Sequence, residues 1–240
     1  MEVHTHTHTP RKKWTHYFWE FFMLFLAVTL GFLVENQREH YIENHRAEIL
    51  AISLYNDMRN DTADLNRILM WQKNKLNHID SLLEIFQKRL TRNDTSFSVH
   101  LATMAFVNRF YQNRGTYEQL KNSGSLRYFN QTLVNRLQNF ENILSEIRLR
   151  EEAESYKLEQ RIIPLVQETI NYGFLYALLN NNPLPSLVYV SLVEPGKENL
   201  LRNQAIEIKI IGSRRFTLYT QLQDLAIEIL VQLKKEYNIK

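Results

Sequence analysis

Cysteine is absent from the 240-residue chain. This excludes a disulfide framework, a thiolate metal site and a cysteine nucleophile. Turn-forming residues are scarce, with 6 glycines and 5 prolines. A β-sandwich or barrel needs a turn signal about every 8–12 residues, so this lack of punctuation favours long helices. Charge of one sign is also missing: 29 basic and 26 acidic side chains are interspersed and leave a net charge of +3. Such a mixture argues against a dedicated nucleic-acid surface. What is present is 44% apolar and 23% charged residues, the balance of a globular chain with a sizeable core.

One long apolar run stands near the N-terminus. Phe21 to Val34 reads FFMLFLAVTLGFLV without a charge, and as a helix it covers about 21 Å. Extension back to Tyr17 gives 18 residues, or about 27 Å, close to the hydrocarbon thickness of a bilayer. Trp14, Tyr17 and Trp19 then form an aromatic belt at one interface. Glu20, one turn inside the belt, faces the headgroups and the positive end of the helix dipole. A cleaved signal peptide is the rival reading, but the run ends Gly31, Phe32, Leu33, Val34, Glu35 and offers no small-x-small cleavage site. Arg11, Lys12 and Lys13 precede the span, and only Arg38 and Arg46 follow closely, so the positive-inside bias places the N-terminus in the cytoplasm.

Beyond the span the pattern is helical. A first helix is expected to run to about Asn60, where Asn60, Asp61 and Thr62 supply capping side chains. The next helix carries a heptad seam of Leu65, Leu69, Gln72, Leu76, Ile79, Leu83, Phe86 and Leu90, with Gln72 its one polar member. After a break at Thr91–Ser96 come a shorter amphipathic segment, Phe97–Tyr111, and a loop, Asn113–Phe129. A third helix begins near Asn130 and repeats the seam through Leu133, Leu137, Phe140, Leu144 and Ile147. It turns highly charged from Arg148 to Glu154 and is kinked or interrupted at Pro164. An apolar piece, Leu165–Leu179, leads to a loop rich in asparagine and proline. Residues 187–193 are ambiguous between strand and helix. The last helix holds one heptad phase from Leu201 to Leu233, weakened in its middle by Gly212 and Arg215. The expected fold is all-α: an N-terminal transmembrane helix continuing into an antiparallel bundle of three to four long helices with coiled-coil-like seams.

Candidate chemistry is sparse. His4, His6 and His8 alternate with threonine and would present three imidazoles on one side of an extended tail, a geometry that takes a divalent metal only feebly because ordering the tail costs entropy. Glu35, Glu39 and Glu43, and Asp57, Asp61 and Asp64, form acidic rows read as solvated helix faces laced with arginine. No zinc-protease motif, di-iron pairing, phosphate loop or nucleophile elbow occurs in the sequence. The most distinctive stretch is Thr116–Tyr128, TYEQLKNSGSLRY. Its Tyr117, Gln119, Arg127 and Tyr128 are candidates for contact with a partner or an anionic ligand. The same residues also suit a Ser123–Gly124 turn flanked by core positions.

Three segments, RKKWTHYFWEFFMLFLAVTLGFLVENQREH (Arg11–His40), SLYNDMRNDTADL (Ser53–Leu65) and TYEQLKNSGSLRYF (Thr116–Phe129), resemble a domain-of-unknown-function family of single-span inner-membrane proteins from gram-negative bacteria. The resemblance implies an inner-membrane anchor and a helical extracytoplasmic domain, and it implies no reaction. The expected division is a cytoplasmic histidine-containing tail at 1–13, a transmembrane helix at 14–34 and a periplasmic helical domain at 35–240. The expected function is that of a membrane-anchored scaffold or protein-interaction module of the bacterial envelope. Its expected partners are the lipid bilayer and either copies of itself or other envelope proteins, with no cofactor, no nucleic acid and no catalysis. The alternative is an extracytoplasmic ligand sensor that relays to a separate protein, since the tail before the span is too short for an output domain.

Overall fold

A computed structural model describes residues 14–88, 95–170, 172–183 and 195–239. Among them the chain is helical and contains no β-strand. The α-helices are α1 (Trp14–Lys88), α2 (Thr95–Met104), α3 (Gly115–Asn122), α4 (Gln131–Lys157), α5 (Ile163–Thr169), α6 (Tyr172–Leu179) and α7 (Pro195–Glu236). The chain divides into two units, Met1–Ile49 and Leu50–Lys240. The tail at 1–13, with His4, His6 and His8, lies outside the described residues, as do Leu90 and the ambiguous run at 187–193.

The described part of the first unit is the beginning of α1. From Trp14 to His40 every residue is exposed except Leu26 and Thr29, which are half-buried. The rings follow one another along the helix: Phe18 stacks on Phe22 and Phe21 on Phe25. Among the described residues α1 is the one helix long and apolar enough to cross a membrane.

The second unit begins within α1, which runs 75 residues without a break. The stop expected near Asn60 is absent because the side chains read as caps are used inside the helix. Thr62 donates its hydroxyl to Met58 O at 2.7 Å, and Asp61 reaches across to Asn113. From Ala51 to Phe86 the buried positions alternate at three and four residues: 51, 54, 58, 61, 65, 68, 72, 75, 79, 82 and 86. This corrects the seam at every second member. Ile68, Lys75 and Leu82 are buried, whereas Leu69, Leu76 and Leu83 are only half-buried. A 3.5-residue repeat must hold one phase along the whole helix, and the phase fixed by Ala51, Leu54 and Met58 takes Lys75 inside.

The seams of α4 and α7 fall where the spacing places them, and the two helices pack together. Leu133, Leu137, Phe140, Leu144 and Ile147 are buried on α4, and the same rhythm continues inward through Glu151 and Glu154. Asn130 caps α4 by accepting from Thr132 N at 2.8 Å. On α7 the whole phase from Leu201 to Leu233 is buried, Gly212 and Arg215 included.

Proline acts through a change of helix type. Pro164 has no N–H to donate to the preceding turn. The chain therefore passes through a π-helical turn, Leu158–Ile162, and starts α5 with the proline in its first turn. The extra residue of the π turn appears in the burial pattern as a four-residue step from Leu158 to Ile162 where the repeat asks for three. The expected apolar helix Leu165–Leu179 is divided, because Ile170 is extended (φ −117°, ψ 139°) and ends α5. The expected loop Asn113–Phe129 instead holds α3 and a turn of 3-10 helix, Ser125–Tyr128, joined by Gly124 at φ 69°, a left-handed conformation that suits glycine. Similarly, the expected Phe97–Tyr111 segment is helical only as far as Met104, and residues 105–114 form an irregular strap.

Candidate functional site

The residues singled out from the sequence fall into separate places. Trp14, Tyr17, Trp19 and Glu20 lie exposed along the first turns of α1, where His16 Nε2 stands 3.1 Å from Glu20 Oε1. Tyr117 is buried on α3, and burial, reinforced by Glu141 and Glu118, pushes its phenol up from the ordinary range. Gln119 and Arg127 are exposed, and Arg127 stacks its guanidinium 4.6 Å from the half-buried ring of Tyr128 and donates to its hydroxyl. Tyr117 is thus part of the core face, while Arg127 and Tyr128 engage each other. Asp61, read as one member of a solvated row, is fully buried.

The main polar feature of the second unit is a layer of ionisable side chains on the seams of α1, α4 and α7. Lys75, Glu154, Arg215 and Gln72 are each at most 1% exposed. Lys75 Nζ donates to Glu154 Oε1 at 3.0 Å, and Arg215 Nη1 lies 2.7 Å from Glu154 Oε2 as an ion pair too bent for a hydrogen bond. Arg215 Nη2 donates to Gln72 Oε1 at 2.6 Å, and Gln72 Nε2 donates to the Gly212 carbonyl at 3.0 Å. One turn further along α7, Tyr219 donates its hydroxyl to Glu151. Burial lowers the Lys75 ammonium from its ordinary range against the pull of Glu154. Burial likewise raises the Glu151 carboxyl, while burial and the neighbouring Glu151 carry the Tyr219 phenol far above its ordinary value. Removing charges from water costs several kcal/mol each, of order 5, and is offset only where partners are close and aligned.

The second use of this layer is to hold the strap. An irregular segment cannot satisfy its own backbone, so buried N–H and C=O groups need partners elsewhere. Lys75 Nζ donates to Phe106 O at 2.7 Å, the Phe110 amide donates to Glu151, and the Asn113 amide donates to Asp61 Oδ1 at 2.9 Å. The Asn113 side chain adds a second bond to the same oxygen at 2.7 Å. Asp57 Oδ2 accepts from Thr116 N at 3.4 Å and so closes the first turn of α3 from a different helix. Arg109 Nη2 donates to Ser155 Oγ at 2.5 Å. Asp61 Oδ2 and Arg215 Nε have no hydrogen-bond partner among the described residues. Burial, aided by Asp57 and Asp64, pushes the Asp61 carboxyl up to about 6 in spite of its two bonds from Asn113.

Chemically this layer is a set of charges already engaged with one another and with backbone. Sequence reasoning overlooked Lys75, Glu151 and Glu154 by treating charge as a sign of the surface. The signal that would have found them is seam continuity: Glu151 and Glu154 extend the α4 rhythm past Ile147, and Lys75 stands three residues after Gln72. Among the described residues no group of three or more histidine or acidic side chains is placed to hold a metal ion. No protein-family model matches the chain, nor does any curated protein or solved structure.

Proposed function

We propose that this protein is a membrane-anchored helical scaffold, a protein-interaction module whose second unit is an antiparallel helical bundle closed by coiled-coil-like seams. Residues 14–34 form the transmembrane helix, the N-terminus is cytoplasmic and the helical domain is periplasmic. The chain sits in a bacterial inner membrane as a member of the single-span family it resembles. Its partners are copies of itself or other envelope proteins, and no catalysis is assigned. The observation that carries the reading is the exposure of the Tyr17–Val34 surface on a helix whose later residues are buried in heptad rhythm. A large exposed apolar surface on one helix calls for lipid or protein to cover it. The way the buried charges are used also favours a structural role, since they meet strap backbone and each other.

The natural absence of cysteine allows a clean topology test. Thr5→Cys and Asn122→Cys, made singly in the full chain and expressed in a gram-negative host, are treated from the periplasmic side with a membrane-impermeant maleimide. Asn122→Cys should label and Thr5→Cys should not; the reverse pattern would overturn the topology, and release of the chain by alkaline carbonate would overturn the anchor. Chemical crosslinking in native membranes should give a discrete self-linked or partner-linked species. Recovery of uncrosslinked monomer alone would remove the scaffold reading.

A further inference from the structure

An open cleft of about 550 Å³ lies on the second unit between α1, α2, the strap and the end of α6. Its walls are apolar, with Trp71 on one side and Phe106, Val107 and Leu178 on others. Its size is that of ordinary small-molecule sites, which pair apolar walls with a few convergent polar groups. Lys75 and His78 stand there with the neutral Asn74, Thr103 and Asn108, and among the described residues no carboxylate lines the cleft.

The electrostatics beneath the cleft are unbalanced. Lys75 has three ammonium protons: two meet acceptors, Phe106 O and Glu154 Oε1, and the ammonium also stands 5.6 Å from the centroid of the Trp71 ring on the cleft side. Behind it Glu154 is shared with a second cation, Arg215. The next carboxyl, Glu151, is occupied by the Tyr219 hydroxyl and the Phe110 amide. Beside Lys75, His78 Nδ1 faces His100 Nδ1 at 2.8 Å. One ring donates to the other, and His78 Nε2 is left as a donor where His100 is the donor and as an acceptor where His78 is. The cleft thus joins an apolar body to an end where two cations, Lys75 and Arg215, share the carboxylate of Glu154.

We propose that this cleft binds an anionic amphiphile, a carboxylate with an aliphatic or aromatic body. The body lies against Trp71, Phe106 and Leu178, and the carboxylate is held at the Lys75–His78 end. The site is independent of the scaffold reading, since it depends on the second unit alone.

The test uses the full-length chain in neutral phosphatidylcholine nanodiscs. Trp14→Phe and Trp19→Phe leave Trp71 as the single tryptophan of the three in the chain. The probe is 2-bromoundecanoate, whose bromine lies beside the carboxylate and so against Trp71, 5.6 Å from Lys75 Nζ, and quenches indole on contact, with 2-bromoundecanol as its uncharged counterpart. We expect saturable quenching by the acid, with the alcohol binding at least about tenfold more weakly, the factor expected for one charge-assisted hydrogen bond. Leu178→Glu should weaken the acid by about tenfold or more relative to Leu178→Gln, because the two variants differ only in a charge at the rim. Unchanged far-ultraviolet circular dichroism shows that both are folded. Equal quenching by acid and alcohol would overturn anion recognition, and linear quenching matching partition into the disc would overturn the site itself.

Discussion

Replacing Gly212 by alanine sets two opposing effects against each other on α7. In an exposed helix the change would stabilise by about 1 kcal/mol, through helix propensity. At this position the new Cβ would stand 2.8 Å from Gln72 Nε2 and 3.2 Å from Leu76 Cδ2. Gln72 must swing away, which breaks its 3.0 Å bond to the Gly212 carbonyl and its 2.6 Å bond from Arg215. The first loss costs about 1 kcal/mol, and the second, to a buried guanidinium, about 1.5–3 kcal/mol. The net expectation is a destabilisation of about 1.5–3 kcal/mol, or a fall in Tm of about 3–12 °C for a chain of this size. Thermal unfolding of the full-length protein in neutral detergent, followed at the helical dichroism band, measures it. The decisive arm repeats Gly212→Ala in a Gln72→Ala background, where nothing remains to displace but the flexible end of Leu76. There the same substitution should be neutral or should stabilise by up to about 1 kcal/mol. If Gly212→Ala raises Tm equally in both backgrounds, the Gln72–Arg215 contact is not formed and the polar layer is wrongly built.

Three further outcomes probe the same region. Glu154→Gln leaves Lys75 and Arg215 buried with no carboxylate between them and should cost about 3–5 kcal/mol in denaturant unfolding, whereas the apolar triple replacement Lys75→Met, Glu154→Leu, Arg215→Leu should recover much of that loss; a single variant costing as little as an exposed pair would contradict the burial. Asp61 is held up to about 6 from an ordinary 3.8 by burial, so the folded chain keeps this proton where the unfolded chain has released it. Its contribution therefore favours folding at low pH and is lost as pH rises from about 4 to 6, by up to about 3 kcal/mol. The difference in Tm between wild type and Asp61→Asn, measured from pH 4 to 7.5, should widen in favour of the variant over that window, and a flat difference would place Asp61 in water. Asn130→Ala should cost about 1 kcal/mol by removing the α4 cap, with Ser at the same position restoring most of it.

Much of the helical plan can be read from spacing alone, and the reason is physical. A long helix in a core has one stripe to bury, and a heptad phase identifies that stripe from the positions of leucine and isoleucine. That is why α7 was legible from Leu201 to Leu233 in the sequence, and why α4 was legible as far as Ile147. Boundaries were less legible. Asn60, Asp61 and Thr62 look like a cap in isolation, yet α1 runs through them, because a tertiary partner at Asn113 outweighs the local preference of an aspartate. Propensity also could not place α3 within a stretch containing glycine and serine. Its first turn is closed by Asp57 from α1, about 60 residues away in sequence, which is a contact that local signals do not carry.

The buried charges were illegible for a related reason, and the strap supplies their logic. Helices satisfy their own backbone, so a set of packed helices alone has no need of lysine or glutamate inside. Residues 105–114 are not helical, yet they lie against α1 and α4, where backbone groups turned away from water and not paired with other backbone need side-chain partners. Three of them find one each on a seam position: Phe106 O takes Lys75, the Phe110 amide takes Glu151 and the Asn113 amide takes Asp61. Glu154 and Arg215 then follow as consequences, since a lysine drawn inside for its donor brings a charge that must be answered in turn. Charges at seam positions of two separate helices, opposite in sign and flanking an unpatterned segment, are therefore the sequence trace of a strap crossing a helical core. Replacing the strap with a short flexible linker should then make the apolar triple variant more stable than the charged parent, because the donors and acceptors would have lost the backbone they serve.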